Sequence, residues 1–90
     1  MESLQKMYKV IVSKTASKEL ADMPAQVINR IIPAIKNLGE NPRPSGEKKL
    51  KGEQDTWRIR IGDYRVIYTI NDTIRIVDVR KVGHRKDIYD

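Results

Sequence analysis

The chain has 90 residues, 39% of them hydrophobic and 33% charged. That is enough for one domain around a modest core and too apolar for a disordered chain. Eighteen Lys and Arg against 12 Asp and Glu leave a formal charge of +6 and a pI near 9.7, a surplus that attracts polyanions without specifying a fold. The absence of cysteine excludes disulfides, thiolate metal sites and Cys nucleophiles, and fits a reducing cytoplasm. A single His and no dense acidic cluster leave little basis for a metal site. No apolar run is long enough to cross a bilayer, and the opening MESLQKMYKV lacks the apolar stretch of a signal peptide.

Residues 1–6 read as a flexible N-terminal extension with Met7 as an alternative start, and residues 7–90 as a single domain. Tyr8–Val12, YKVIV, has the β-branched content of a short strand. Ser13 or Thr15 then caps a helix whose apolar stripe is Ala16, Leu20 and Met23. Pro24 ends that helix and suits the first position of the next. The second helix carries Ile28, Ile31, Ile32, Ile35 and Leu38 on one face. Pro33 inside it predicts a kink, because an interior proline removes a backbone hydrogen bond. Gly39 suits a left-handed C-terminal cap. Residues 40–55, ENPRPSGEKKLKGEQD, read as a loop, long for so small a domain.

From Trp57 the apolar period becomes two. Trp57, Ile59 and Ile61 alternate with Arg58 and Arg60, which predicts a strand with one apolar and one cationic face. Gly62–Asp63 is a two-residue hairpin turn. YRVIYTI forms the next strand, Asn71–Asp72 a second tight turn, and TIRIVDVRK a third, interior strand that Val82–Gly83 ends. The order β-α-α-β-β-β predicts an α+β fold, a twisted antiparallel sheet with a helical hairpin packed on one face. Arg58 and Arg60 would then lie on the other.

Those arginines are the strongest chemical signal. Two residues apart on a strand, Arg58 and Arg60 stand about 7 Å apart along one face. A two-residue turn places Arg60 opposite Arg65, and such like-charged cross-strand neighbours repel unless an anion lies between them. Phosphate fits, because guanidinium binds it bidentately. A solvated cationic face accounts for the same three residues equally well. His84 and Arg85 follow the third long strand. A lone His near the end of a chain is usually just exposed, yet imidazole is the side chain whose ordinary pKa suits both proton removal and donation near neutrality. Tyr89 either covers the sheet edge, stacks on a base or passes a proton. Lys48, Lys49 and Lys51 fit a solvated loop first, and a salt-dependent attraction to phosphates second. No Gly-rich phosphate loop, carboxylate pair or Ser-based triad is visible. Asp63 and Asp87 are explained as a turn residue and a tail charge.

The segments WRIRIGDYRVIY and VDVRKVGHRKDIY resemble the RelE/ParE superfamily of toxin–antitoxin toxins, over nearly the whole chain from Met7. For its RelE branch the resemblance implies a metal-independent, cofactor-free endoribonuclease that cuts messenger RNA in the ribosomal A site. The RNA's own 2′-OH attacks the adjacent phosphate, leaving a cyclic phosphate and a free 5′-OH. By motif, Arg65 of YRVIY and Arg85 of GHR match the phosphate-stabilising arginines. Arg58 and Arg60 take the basic strand positions, which hold lysines in the best-known member. Tyr89 resembles the tail tyrosine, at a shorter spacing from Gly83. Arginine does not readily shed a proton near neutral pH, so the resemblance leaves proton transfer to His84, with Tyr89 positioning or donating and Lys48, Lys49 and Lys51 assisting RNA binding. It also implies a RelB-like antitoxin in a hetero-oligomer, the ribosome and its message as partners, no membrane, and a cytoplasmic location. The alternatives are a ParE-like DNA gyrase inhibitor without nuclease activity, and a catalytically weak antitoxin-binding module.

Overall fold

The computed structural model describes residues 7–44, 48–49 and 56–88; the expected extension over 1–6 lies outside them. The elements are β1 (Lys9–Val12), α1 (Lys14–Ala21), α2 (Ala25–Asn37), β2 (Lys48–Lys49), β3 (Thr56–Ile61), β4 (Tyr64–Asn71) and β5 (Ile76–His84). The five strands make one sheet in the order β1-β5-β4-β3-β2. This is the expected α+β fold, and the third long strand is interior as its sequence suggested. One pairing departs from the antiparallel expectation: β1 runs parallel to β5, Val10 beside Val77 and Val12 beside Val79. The chain between the two, both helices and then β2, β3 and β4, is the long connection that parallel neighbours need.

Ser13 caps α1, its Oγ accepting from the Ala16 N–H at 3.1 Å and donating to the Arg80 carbonyl at 3.1 Å. Eight residues are too few for an independently stable helix. Burial of Ala16 and Leu20 holds α1 in place, as does the Glu19 carboxylate, which accepts from the Val82 N–H at 2.9 Å. That contact falls on the stretch of β5 beyond Val79, where its pairing with β1 has ended. Pro24 is the N-cap of α2 rather than its first residue, one position earlier than expected. The helix continues through Pro33, with Ile31, Ile35 and Leu38 buried as the stripe predicted.

Gly39 is not a left-handed cap, because Gly62 is the one glycine with positive φ among the described residues. Its reason is close approach. A Cβ on Gly39 would stand 3.0 Å from the Tyr8 carbonyl oxygen and 3.3 Å from Val10 Cγ2, while the Gly39 carbonyl accepts the Tyr8 N–H at 2.6 Å. Residues 40–55 are not wholly loop, since Lys48 and Lys49 pair with Arg58 and Trp57 as β2. The second turn is longer than a tight pair: Asn71 Oδ1 accepts from the Thr73 and Ile74 N–H groups, and Arg75 takes a positive φ before β5 begins.

The core lies between the helices and one sheet face, around Ile31, Ile35, Leu38, Ile59, Val66, Tyr68, Val77, Val79 and Val82, with Trp57 and Ile61 half-buried beside them. At the far end of the sheet from the β3–β4 turn, the loop after α2 is tied down. The Tyr68 hydroxyl donates to the Pro42 carbonyl at 2.7 Å. Arg43 donates to both carboxylate oxygens of Asp72, at 3.3 and 3.0 Å, and its guanidinium lies 5.1 Å over the Trp57 ring. The Tyr8 hydroxyl donates to the same carboxylate at 2.6 Å. Arg43, with Tyr8 second, holds the Asp72 carboxyl below its ordinary value, and Asp72 in turn raises the Tyr8 hydroxyl. Periodicity carried no trace of this cluster.

Candidate functional site

The β3–β4 hairpin turns at Gly62 and Asp63 with Ile61 opposite Tyr64 and Arg60 opposite Arg65. Only Gly62 has positive φ, at 59°, the demand of a turn whose first central residue is left-handed. Cross-strand partners share a face, so Arg60 and Arg65 stand side by side on the face away from the helices. Arg60 is exposed and Arg65 half-buried. The Arg65 guanidinium bends back to the turn, Nη1 donating to the Gly62 carbonyl at 3.4 Å and to its neighbour Tyr64 at 3.2 Å.

Arg85 meets the same turn from the end of β5. Its N–H donates to the Asp63 carbonyl at 2.7 Å, and Nε lies 3.9 Å from the Asp63 carboxylate. With both side chains exposed, that ion pair adds little stability; it leaves Arg85 free to exchange Asp63 for another anion. Asp63 therefore does more than fill a turn. Opposite charge at the tip partly offsets the repulsion of the arginines.

Arg58 does not belong to this open surface, contrary to expectation. It is 3% exposed and is held by a contact of its own. The cause is β2. Pairing of Lys48 with Arg58 makes β3 an interior strand, and Arg58 sits mid-strand between Lys48 and Ile67. Lys49 is exposed, with its ammonium 5.8 Å over the Trp57 ring, at the far end of the sheet from the hairpin turn. Lys51, Tyr89 and the Lys48 side chain lie outside the described residues.

His84 takes an unexpected place. It belongs to β5 rather than to a tail, since that strand does not end at Val82–Gly83. It pairs with Tyr64, and the two rings meet edge-on, centroids 5.3 Å apart at 77°. That is the face of Ile61 and Val66, the helix side, whereas Gly83 pairs with Arg65 on the arginine side. A bulge decides this. Ile67 pairs with Lys81 but Tyr68 with Val79, so Arg80 is an extra residue in β5 and the alternation changes phase across it. His84 lines a cavity of about 320 Å³ with Met23, Tyr64 and Ile88, and the acidic residues Glu19, Asp22 and Asp87 also line it. Those acidic residues disfavour a phosphate inside that cavity. His84 Nδ1 accepts the Lys86 N–H at 3.1 Å, so Nε2 carries the proton of the neutral ring.

The hairpin also has a visitor that sequence reading missed. The guanidinium of Arg30, exposed on α2, lies against Gly62, and a Cβ there would stand 2.8 Å from Nη2, 3.2 Å from Nη1 and 3.3 Å from Cζ. Nothing in the helix period singled it out, because Arg30 sits beside the apolar stripe as an ordinary solvated residue. Among the described residues no group of His, Asp and Glu is placed to hold a metal ion, and no helix is long and apolar enough to cross a membrane.

Comparison with known proteins finds matches to the sequence and to the fold. The sequence pattern of the ParE toxin of type II toxin-antitoxin system, parDE, covers residues 10–89. The toxin RelE3 of Methanocaldococcus jannaschii is 39% identical over 87 residues, spanning 91% of this chain and 96% of that one. Among solved structures, the archaeal RelE–RelB complex from Pyrococcus horikoshii superposes with a TM-score of 0.79 at 30% identity, covering 91% of this chain and 99% of the other. The intact RelBE toxin–antitoxin complex of E. coli gives 0.76 at 26% identity, over 86% and 95%.

Proposed function

The chain belongs to the ParE toxin family, within the RelE/ParE superfamily of type II toxins, and on that footing we propose that it is an endoribonuclease that cuts messenger RNA in the ribosomal A site. The carrying observation is the Arg60–Arg65 pair beside a turn that Arg85 also reaches. Three guanidinium groups at one end of the sheet suit a phosphodiester whose charge grows as the 2′-OH attacks. The P–O bond to the 5′ oxygen breaks, the 2′ oxygen closes a cyclic phosphate, and the 5′ oxygen leaves with a proton. Preorganised cations stabilise the extra charge of that transition state. DNA lacks the nucleophile and resists the reaction.

Arg60, Arg65 and Arg85 stabilise charge in this reading. Arg58, being buried, supports the strand and is no longer assigned to the phosphate. His84 remains the proton-transfer group by chemistry, with Tyr89 as the tail residue that positions or donates. The Lys86 N–H occupies His84 Nδ1, and the ring lies on the helix side, so its participation requires the Lys86 contact to break and the end of β5 itself to move when RNA binds. Lys49 is distant from the turn and contributes at most a long-range attraction. No step calls for a metal or cofactor.

A RelB-like antitoxin is the proposed partner, since relatives are seen in RelE–RelB complexes. It would neutralise the cationic face in a hetero-oligomer in the cytoplasm, its charge complementary to +6. The deciding experiment adds the purified chain to translating ribosomes and maps new 5′ ends on the message. Codon-phased cuts support the reading. The matched family pattern carries the name ParE, so gyrase supercoiling is assayed in parallel; inhibition of gyrase with an uncut message would replace the proposal.

A further inference from the structure

We infer that Arg30 forms a second phosphate subsite, one that holds the RNA backbone next to the bond being cut. The inference rests on the endoribonuclease reading and adds a residue from a different element. Three arginines touch one two-residue turn. Arg65 reaches the Gly62 carbonyl from the arginine face, Arg85 reaches Asp63 from the end of β5, and Arg30 lies against Gly62 from the helix side.

Three features separate Arg30 from an ordinary surface cation. First, its position depends on glycine: a Cβ at position 62 would displace Nη2 of the guanidinium, 2.8 Å away, and crowd Nη1 at 3.2 Å. The turn thus provides a seat that a flexible side chain would otherwise pay entropy to occupy. Second, Arg30 forms no ion pair or hydrogen bond among the described residues, and the one carboxylate at the turn, Asp63, faces Arg85. Third, the company is costly without a ligand. Four guanidinium groups, those of Arg30, Arg60, Arg65 and Arg85, gather about a turn that itself carries one carboxylate, Asp63, and like charges at such sites repel. A single phosphate between Arg60 and Arg65 leaves Arg30 uncompensated on the other side of the turn. A strand of RNA passing over the hairpin tip presents a second phosphate there. The ligand is a phosphodiester recognised by charge and fork geometry, with no reading of base or sugar.

The test uses the full chain and a ten-nucleotide single-stranded RNA made uncleavable by 2′-deoxy substitution, with an all-DNA oligonucleotide of the same length beside it. Binding is followed by fluorescence anisotropy from 50 to 200 mM salt. Arg30→Ala is expected to weaken binding of both oligonucleotides by roughly three- to tenfold at the lowest salt. It should also lower the slope of log affinity against log salt by about 0.7, the share of one single-strand phosphate contact. Arg30→Lys should restore the slope, because it restores the charge. A thermal melt unchanged from the parent chain confirms that the exposed substitution leaves the fold intact. Arg60→Ala and Arg65→Ala serve as references. If they weaken binding while Arg30→Ala matches the parent chain in affinity and slope, the second subsite is overturned and the primary site stands. If all three match the parent chain, or the parent chain binds neither oligonucleotide, the phosphate-binding reading of the whole hairpin falls with it.

Discussion

Arg65 carries the largest expected effect of any single side chain. It is paired with Arg60, bent over the turn and half-buried, so its guanidinium is held before substrate arrives. Arg65→Ala should lower ribosome-dependent cleavage by on the order of 10²-fold or more, the usual cost of losing one transition-state donor, with little change in the melting profile. Single-turnover cleavage of a programmed message measures it, and a loss under tenfold would take Arg65 out of the reaction. His84 is a sharper test because its geometry and its chemistry point in different directions. His84→Gln should slow cleavage strongly if the tail moves to free Nδ1. Unchanged cleavage would leave the imidazole as an edge-on packing partner of Tyr64 and move proton transfer elsewhere.

Among the elements, α1 and the end of β5 depend on each other. The helix is short, yet Ser13 joins its N-terminus to the Arg80 carbonyl and Glu19 takes the Val82 N–H, which covers the sheet edge that β1 leaves open. An uncovered edge would present unpaired backbone groups to solvent and to other chains. Ser13→Ala removes both the cap and the strand contact. A loss of about 1 kcal/mol or somewhat more in urea unfolding is expected. The same edge leads to the Arg80 bulge and on to Arg85, so a loosened α1 should also disturb the tip where the arginines gather.

Over the whole molecule, charge is arranged by end. The hairpin end is cationic, while the opposite end is latched by Asp72, Arg43 and Tyr8. The latch has a pH signature. The folded Asp72 carboxyl titrates below its ordinary value because of Arg43 and then Tyr8, so its contribution is present at neutral pH and drains away as pH falls from about 4 through the depressed value. Asp72→Asn should therefore lower the urea midpoint at pH 7 and converge on the parent chain once the pH lies below the depressed value of Asp72. Added salt should shrink the difference, since the pair is exposed. A gap that does not narrow at all as the pH falls below the ordinary carboxylate range would assign the effect to packing.

Sequence alone determined the layers, the two helices with their apolar stripes, a cap at Ser13 or Thr15, the hairpin at Gly62–Asp63 and, through it, the pairing of Arg60 with Arg65. All of these follow from local rules: period, cap chemistry, and a two-residue turn that sets register. Tertiary structure decided the rest. Arg58 is buried within the fold, one extra residue at Arg80 changed the phase of β5 and carried His84 to the helix side, and a glycine without a Cβ let Arg30 reach the turn. Each depends on which distant backbone lies alongside, and alternation along a single strand contains no information about its neighbours.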